Sequence, residues 1–173
     1  MNSIFLLFSI LCLLGLSIRT SYEVLKKGGK VDSKNKMVFA IVFVGMILML
    51  TSWIVMGLMN PWHLPLPMAS KWVGFILLIL GLGLAIGGLI QLRGLENIDH
   101  LETSGLYRKI RHPMYAGFIF WIAGWVIYFN AGASLLVGIV ATGNILYWRS
   151  LEEEQMGLNY GEEYRLYRAS TWF

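Results

Sequence analysis

The sequence predicts an all-α, polytopic integral membrane protein with five transmembrane helices, of which the last two form a C-terminal hairpin. Of its 173 residues, 57% are hydrophobic and only 14% are charged, whereas soluble domains carry about 25% charged residues. Four segments contain no Asp, Glu, Lys or Arg: residues 1–18, 37–59, 72–90 and 113–148. These segments match or exceed the roughly 18–20 residues that span a bilayer. A soluble enzyme, a secreted disulfide-rich protein and a disordered chain all fit this composition poorly.

The first apolar segment, 1–18, is predicted to be a retained transmembrane helix rather than a cleaved signal. It begins Met1-Asn2-Ser3 without basic residues, and the positive charges follow the apolar segment instead. The single cysteine, Cys12, lies within it. An intramolecular disulfide or a cysteine-based metal cluster is therefore impossible.

The second and third spans, 37–59 and 72–90, are separated by a segment with three prolines within residues 60–67. A proline removes a backbone donor and clashes with the preceding turn, so a helix cannot continue through this segment. In the third span, Gly83-x3-Gly87 predicts close packing against another helix. The same glycines do not predict a dinucleotide-binding loop, because no strand precedes them.

The fourth charge-free segment, 113–148, is predicted to fold into two helices. One straight helix of this length would run about 54 Å at 1.5 Å per residue, well beyond the hydrocarbon core of about 30 Å. Asn130-Ala131-Gly132 supplies turn residues near the middle, which predicts a hairpin of helices 113–129 and 132–148. Gly117 and Gly124 predict a closely packed face on the first arm, and Asn144 predicts an interhelical hydrogen bond from the second.

The distribution of basic residues predicts the orientation. All of the 14 Lys and Arg residues except Lys71 fall in three segments, 19–36, 91–112 and 149–168. Five spans place these three segments on one side of the membrane, which the positive-inside rule makes cytoplasmic. We therefore expect the N-terminus outside and the C-terminus in the cytoplasm. The basic loop 19–36 is interpreted as this bias together with attraction to anionic lipids, and no nucleic-acid partner is expected.

The predicted site lies where the hairpin begins and ends. Because a hairpin brings its two ends together, residues 99–115 and 149–168 should be neighbours. Pro113 suits the first turn of a helix, which places Arg111 and His112 at a helix N-terminus that favours an anion. Arg149 and Glu153 are four residues apart and should share one helix face.

Two motifs carry a resemblance to a known family. Tyr107-x3-Arg111-His112-Pro113-x-Tyr115-x-Gly117 is followed by Glu152-Glu153-x2-Met156-x3-Tyr160-Gly161-x2-Tyr164-x2-Tyr167. Over about residues 70–170 this order resembles the isoprenylcysteine carboxyl methyltransferase family and the related membrane phospholipid methyltransferases. The resemblance implies an all-helical membrane enzyme that binds S-adenosylmethionine at its cytoplasmic face and methylates a lipophilic acceptor. It divides a single membrane domain into N-terminal spans, 1–69, and a methyltransferase-like core, 70–173.

The resemblance also implies roles for individual residues. Arg149 would face the methyl acceptor, and Arg149 and Glu153 would be the catalytic residues. Whether Glu152 or Glu153 contacts the cofactor stays open. The residues expected to bind the cofactor are His100, Leu101, Glu102, Tyr107, Arg111, His112, Pro113, Met114, Tyr115, Glu152 and Glu153.

The chemistry depends on the acceptor, which the sequence leaves open. Methyl transfer from a sulfonium needs no covalent enzyme intermediate, so alignment of donor and acceptor supplies most of the catalysis. A carboxylate or thiolate acceptor, as in a prenylated substrate, is already nucleophilic and needs only an Arg to orient it. A phospholipid amine, or another lipophilic amine, must lose a proton, and a Glu is then the candidate base.

Two other function classes stay open at this stage. A membrane reductase that uses NADPH is one, since sterol reductases have a somewhat similar C-terminal region, although this chain is short for that role. A membrane scaffold or immunity-type protein without turnover is the other. The three histidines lack metal-ligand spacing, so no metal site is expected. We expect the protein in the cell membrane of a prokaryote, among membrane lipids, and the oligomeric state is undetermined.

Overall fold

A computed structural model describes residues 3–32, 35–92 and 101–173. It contains five α-helices and a 3-10 turn at Gly105–Arg108 between the third and the fourth. The α-helices are α1 (Ser3–Lys27), α2 (Lys36–Leu58), α3 (Ser70–Gln91), α4 (Pro113–Phe129) and α5 (Gly132–Ser170).

The predicted all-α class is confirmed, because the described part of the chain has no strand and only two isolated β-bridges. The helices α1, α2 and α3 are long and apolar enough to cross a membrane. The apolar helix α4 has 17 residues and is shorter than a typical span. Five transmembrane helices and their orientation therefore stay a prediction.

The helix α1 extends nine residues beyond the predicted end of the first span, to Lys27. An ion pair between Arg19 and Glu23 and contact of the Arg19 guanidinium with the Tyr22 ring stabilise this extension. The extension contacts α5 through Thr20. The Thr20 Oγ1 donates a hydrogen bond to Asn144 Oδ1 at 2.8 Å and accepts one from Trp148 Nε1 at 2.9 Å. The interhelical hydrogen bond predicted for Asn144 is confirmed.

Glycines allow α3 and α4 to pack with their backbones in contact. A methyl group added to Gly81 would lie 2.7 Å from Gly117 O and from Trp121 N. One added to Gly124 would lie 2.7 Å from Leu78 N. The close packing predicted for Gly117 and Gly124 is confirmed. The prediction for Gly83 is wrong, because Gly83 lies two residues from Gly81, on the other side of the helix, with open space around it.

The predicted hairpin turn is also confirmed. Asn130 ends α4 in the left-handed conformation, with φ 52°, which Asn tolerates better than most residues. The proline-rich segment is hydrogen-bonded to this turn, from Leu64 N to Asn130 O at 2.8 Å and from Gly132 N to Trp62 O at 2.9 Å. These contacts fix the end of the bundle that lies opposite the charged residues.

The charged end of the bundle, where α1 ends and α4 begins, is closed by the second half of α5. Gly161 interrupts α5 with φ 52° and ψ −118°, a conformation that glycine adopts readily. The chain beyond it packs against the loop that precedes α4, and the Tyr167 hydroxyl donates a hydrogen bond to Tyr107 O at 2.6 Å. This kink places the last residues of the chain beside the start of α4.

We expect Gly81→Ala to destabilise the protein and Gly83→Ala to leave it unchanged or slightly more stable. The new methyl group at Gly81 must push α4 away, and such overpacking costs about 1–3 kcal/mol. At Gly83 the methyl group enters open space. Thermal unfolding of both variants in detergent measures the difference, and equal midpoints would contradict the packing of α3 on α4.

Candidate functional site

The side chains of the charged end converge on one carboxylate. Glu153 Oε1 lies 3.1 Å from Arg149 Nε, 3.3 Å from Arg111 Nη2 and 3.4 Å from His112 Nε2. Its other oxygen lies 3.7 Å from Arg168 Nη2, and the Glu153 side chain is only 11% exposed. We call Arg111, His112, Arg149, Glu152, Glu153 and Arg168 the Glu153 cluster. Residues from both predicted segments are thus brought together.

His112 is the buried centre of the contact between α4 and α5. Its Nδ1 lies 3.4 Å from Glu152 Oε2, and its ring stacks on Tyr115 with centroids 5.6 Å apart. Its Nε2, although 3.4 Å from Glu153 Oε1, has no aligned hydrogen-bond partner among the described residues. Burial lowers the pKa of His112, but the adjacent carboxylates of Glu152 and Glu153 outweigh burial and raise it above its ordinary value of 6.5.

The cationic surroundings hold Glu153 in its ionised form. The contact with His112, together with the charges of Arg149, His112 and Arg111, lowers the pKa of Glu153 to about 2, although burial opposes the shift. A carboxylate among so many donors is stable as an anion. The cluster is therefore a network of compensating charges.

Arg111 also binds the last residues of the chain, 168–173, which we call the tail. Its Nη1 donates hydrogen bonds to Thr171 O at 2.8 Å and to Arg168 O at 3.1 Å. The backbone continues this contact, from Arg111 N to Trp172 O at 3.0 Å and from His112 N to Phe173 O at 3.2 Å. The guanidinium of Arg149 lies 4.5 Å from the centre of the Phe173 ring.

Sequence reasoning missed these tail residues, because no motif marks them. The pair Trp172-Phe173 is the one local signal, since two aromatic residues after a charged helix suggest a packed rather than a solvated end. The sequence marks Arg19 only as a basic residue of the loop 19–36. In the structure its guanidinium lies 5.9 Å from the centre of the Trp148 ring, and its side chain lines a cavity that Glu152 also lines.

The other residues predicted to bind a cofactor occupy three different surroundings. Glu102 Oε1 accepts hydrogen bonds from Ser104 Oγ at 2.6 Å and Ser104 N at 2.9 Å, so it braces the turn before α4. Leu101 is half-buried beside it, and His100 lies outside the described residues. Tyr107 is buried, and its hydroxyl is within 3.4 Å of Gly88 O. Pro113 is buried in the first turn of α4, as predicted.

A cavity extends from the Glu153 cluster into the apolar part of the bundle. Glu152 and Arg19 line it at the charged end, next to Met114 and Tyr115. The rest of the lining is apolar or aromatic and comes from α1, α2, α4 and α5. The empty volume is about 850 Å³ when the open space at the mouth of the cavity is included. A polar cluster at the end of an apolar cavity suits an amphiphilic ligand.

Comparison with known proteins identifies the family. The model of the family described as phospholipid methyltransferase matches residues 69–163, more than half of the chain, and the chain belongs to that family. No curated protein and no solved structure matches the chain. The resemblance inferred from the two motifs is thereby confirmed at the level of the family. Together with its long apolar helices, this membership indicates an integral membrane protein of the methyltransferase class.

We expect Glu153→Gln to destabilise the protein by about 3 kcal/mol, because it leaves the buried guanidinium of Arg111 without its counter-charge. Glu162→Gln is the matched control on the same helix. Glu162 pairs with Arg165 at the surface, where ion pairs contribute little, so we expect no measurable change. Chemical unfolding in mixed micelles compares the two variants, and equal stabilities would show that the Glu153 cluster is not a structural network.

The stability contributed by His112 should depend on pH. A pKa that folding raises stabilises the folded state fully below the ordinary value of 6.5, and this contribution is lost as the pH rises through the folded value. The difference in unfolding temperature between wild type and His112→Gln should therefore be largest in mild acid and shrink in alkali. A difference for His112→Gln that grows with pH would contradict this assignment.

The stability contributed by Glu153 depends on pH in the opposite direction. Its contribution is lost as the pH falls from 4.5 towards about 2.

Proposed function

We propose that this member of the phospholipid methyltransferase family transfers a methyl group from S-adenosylmethionine to a lipophilic acceptor, with isoprenylcysteine carboxyl methylation as the closest reaction. The observation that carries the proposal is the shared residue Glu152, which belongs both to the Glu153 cluster and to the apolar cavity. A polar donor site and an apolar acceptor site must meet in a membrane methyltransferase, and Glu152 is where they meet here.

The residues of the cluster fit the cofactor. His112 Nε2 is a buried polar atom without an aligned partner among the described residues, so a ligand oxygen beside it would satisfy a group that is otherwise costly to bury. The carboxylates of Glu152 and Glu153 complement cationic groups. We assign cofactor contact to Tyr107, His112, Tyr115 and Glu152, whereas Arg111 is occupied by Glu153 and the tail.

When bound, S-adenosylmethionine supplies an electrophilic methyl group on a sulfonium. The work of the chain is then to orient the acceptor and to exclude water, which together lower the barrier by several kcal/mol. The tail residues Trp172 and Phe173 cover the start of α4 and the guanidinium of Arg149. Arg149 and Glu153, the proposed catalytic residues, touch each other. Because the Phe173 ring covers the guanidinium of Arg149, Arg149 reaches an acceptor carboxylate only after Phe173 moves aside.

A second candidate acceptor is the amine of a phospholipid, and one observation favours it. Glu152 is the carboxylate that faces the cavity, and its side chain is 27% exposed. An ammonium group entering the cavity would meet this carboxylate and the aromatic rings of Tyr115 and Trp148, which attract cations. Glu152 would then accept the proton that the amine must lose before it attacks.

The proposed location follows from the charges. With five spans, the charged end of the bundle is cytoplasmic, where a water-soluble cofactor is available. The acceptor is proposed to enter from the bilayer. The proposed membrane is the cell membrane of a prokaryote.

Calorimetry in detergent tests the cofactor. We expect S-adenosylhomocysteine to bind the wild type and His112→Ala to weaken binding by at least about tenfold, the loss of one charge-assisted hydrogen bond. His63→Ala is the control, because His63 lies in the proline-rich segment at the opposite end of the bundle. Binding of NADPH instead would favour a reductase, and binding of neither ligand would favour a protein without turnover.

A methyl-transfer assay identifies the acceptor. Purified protein with methyl-labelled S-adenosylmethionine is offered, in separate reactions, a prenylated cysteine and phosphatidylethanolamine. Label that is released by mild base marks a methyl ester, whereas label in the lipid head group resists base and marks N-methylation. Transfer to neither, despite bound cofactor, would contradict both acceptors.

A further inference from the structure

We propose that α1 and α2 select the acceptor by the length of its apolar chain, because they close the inner end of the cavity. This inference rests on the proposed function, since it names the acceptor's chain as the occupant. Neither helix lies within the residues matched by the family model, 69–163. The shared part of the fold would then supply the chemistry, and the N-terminal helices the choice of acceptor.

The residues that line the cavity on α1 and on α5 run along each helix from the charged end of the bundle towards its interior. From the charged end inwards, the cavity is lined by Arg19, Leu16 and Cys12 on α1. On α5 the lining runs from Glu152 to Ala141. At 1.5 Å per residue these stretches are about 10 Å and about 16 Å long. The cavity is therefore elongated along the helices, the direction in which a lipid chain lies in a bilayer.

The inner end of the cavity is closed by well-packed side chains. Cys12 and Trp53 line it there, with exposures of 1% and 3%, and both belong to a buried cluster with Met56 and Val126. Trp121 and Ile122 of α4 line the cavity and pack against the same cluster. Because a packed core does not yield easily to added volume, a chain that is too long meets a wall.

The two ends of the cavity determine how the ligand is oriented. Arg19 and Glu152 are the charged residues of the lining, and both lie at the same end. Glu152 is also in contact with His112. An amphiphile can satisfy both ends only with its head group at Glu152 and its chain towards Trp53. The head group then lies next to the proposed cofactor site, whatever the length of the chain.

Substitutions at the inner end should change the preferred chain length in opposite directions. Cys12→Leu adds volume to the inner wall on α1, and Trp53→Leu removes volume from the inner wall on α2. Leu13→Phe is the matched control, since Leu13 follows Cys12 on α1 but is exposed and does not line the cavity. Opposite shifts cannot arise from a common loss of stability.

The test uses binding without any cofactor. A homologous series of n-alkylphosphocholines, from decyl to octadecyl, is offered to the protein in a maltoside detergent, and native mass spectrometry measures the bound fraction. We expect Cys12→Leu to weaken binding of the longest bound probes about tenfold, the effect of displacing about two methylenes. Trp53→Leu should extend binding to longer probes, and Leu13→Phe should follow the wild type.

Identical length profiles for all four proteins, or equal weakening at every length, would overturn the inference. Shifted profiles would support it even if no methyl transfer is found, in which case only the proposed enzymatic activity fails. If transfer is found, its products should show the same shifts in chain length. The experiment therefore distinguishes a failure of the chain-length selection from a failure of the proposed methyl transfer.

Discussion

The compensation of charge around Glu153 is the interaction on which the charged end of this protein depends. One carboxylate faces Arg111 and His112 at the start of α4, Arg149 on its own helix and Arg168 beyond the kink at Gly161. The cluster therefore joins three parts of the chain that are far apart in sequence. The cluster also fixes the orientation of the His112 ring.

The rest of the bundle delivers these residues to one another. Close packing of α3 and α4 through Gly81, Gly117 and Gly124 sets the position of α4. The turn at Asn130 folds α5 back beside it, so Arg111 and Glu153 meet at the end remote from the turn. Apolar packing alone would tolerate some sliding of these helices. The ion pairs and the backbone contacts of Trp172 and Phe173 remove that freedom.

Much of this arrangement was predictable from sequence, because charge is expensive inside a bilayer and is therefore distributed in a readable pattern. The hairpin and the meeting of Arg111-His112 with Glu152-Glu153 followed from charge-free lengths and one turn. The tail and the extension of α1 did not, because both depend on tertiary partners: Arg111 binds the backbone of Thr171, and Thr20 binds Asn144 and Trp148. The error at Gly83 has the same origin, since glycine spacing does not reveal which face of a helix has a neighbour.

Glu152 lies at the junction between the Glu153 cluster and the apolar cavity. Its carboxylate contacts His112 and also lines the cavity beside Arg19. A cationic head group placed there would compete with His112 for the same carboxylate, whereas an anionic head group would pair with Arg19 and favour the protonated form of His112. Because charges act over longer distances in a medium of low polarity, the two ligands of the proposed reaction would influence each other's binding without any movement of the helices. In the proposed reaction, the charge of Glu152 would favour one class of acceptor head group, and the packing of α1 and α2 would limit the length of the acceptor's apolar chain.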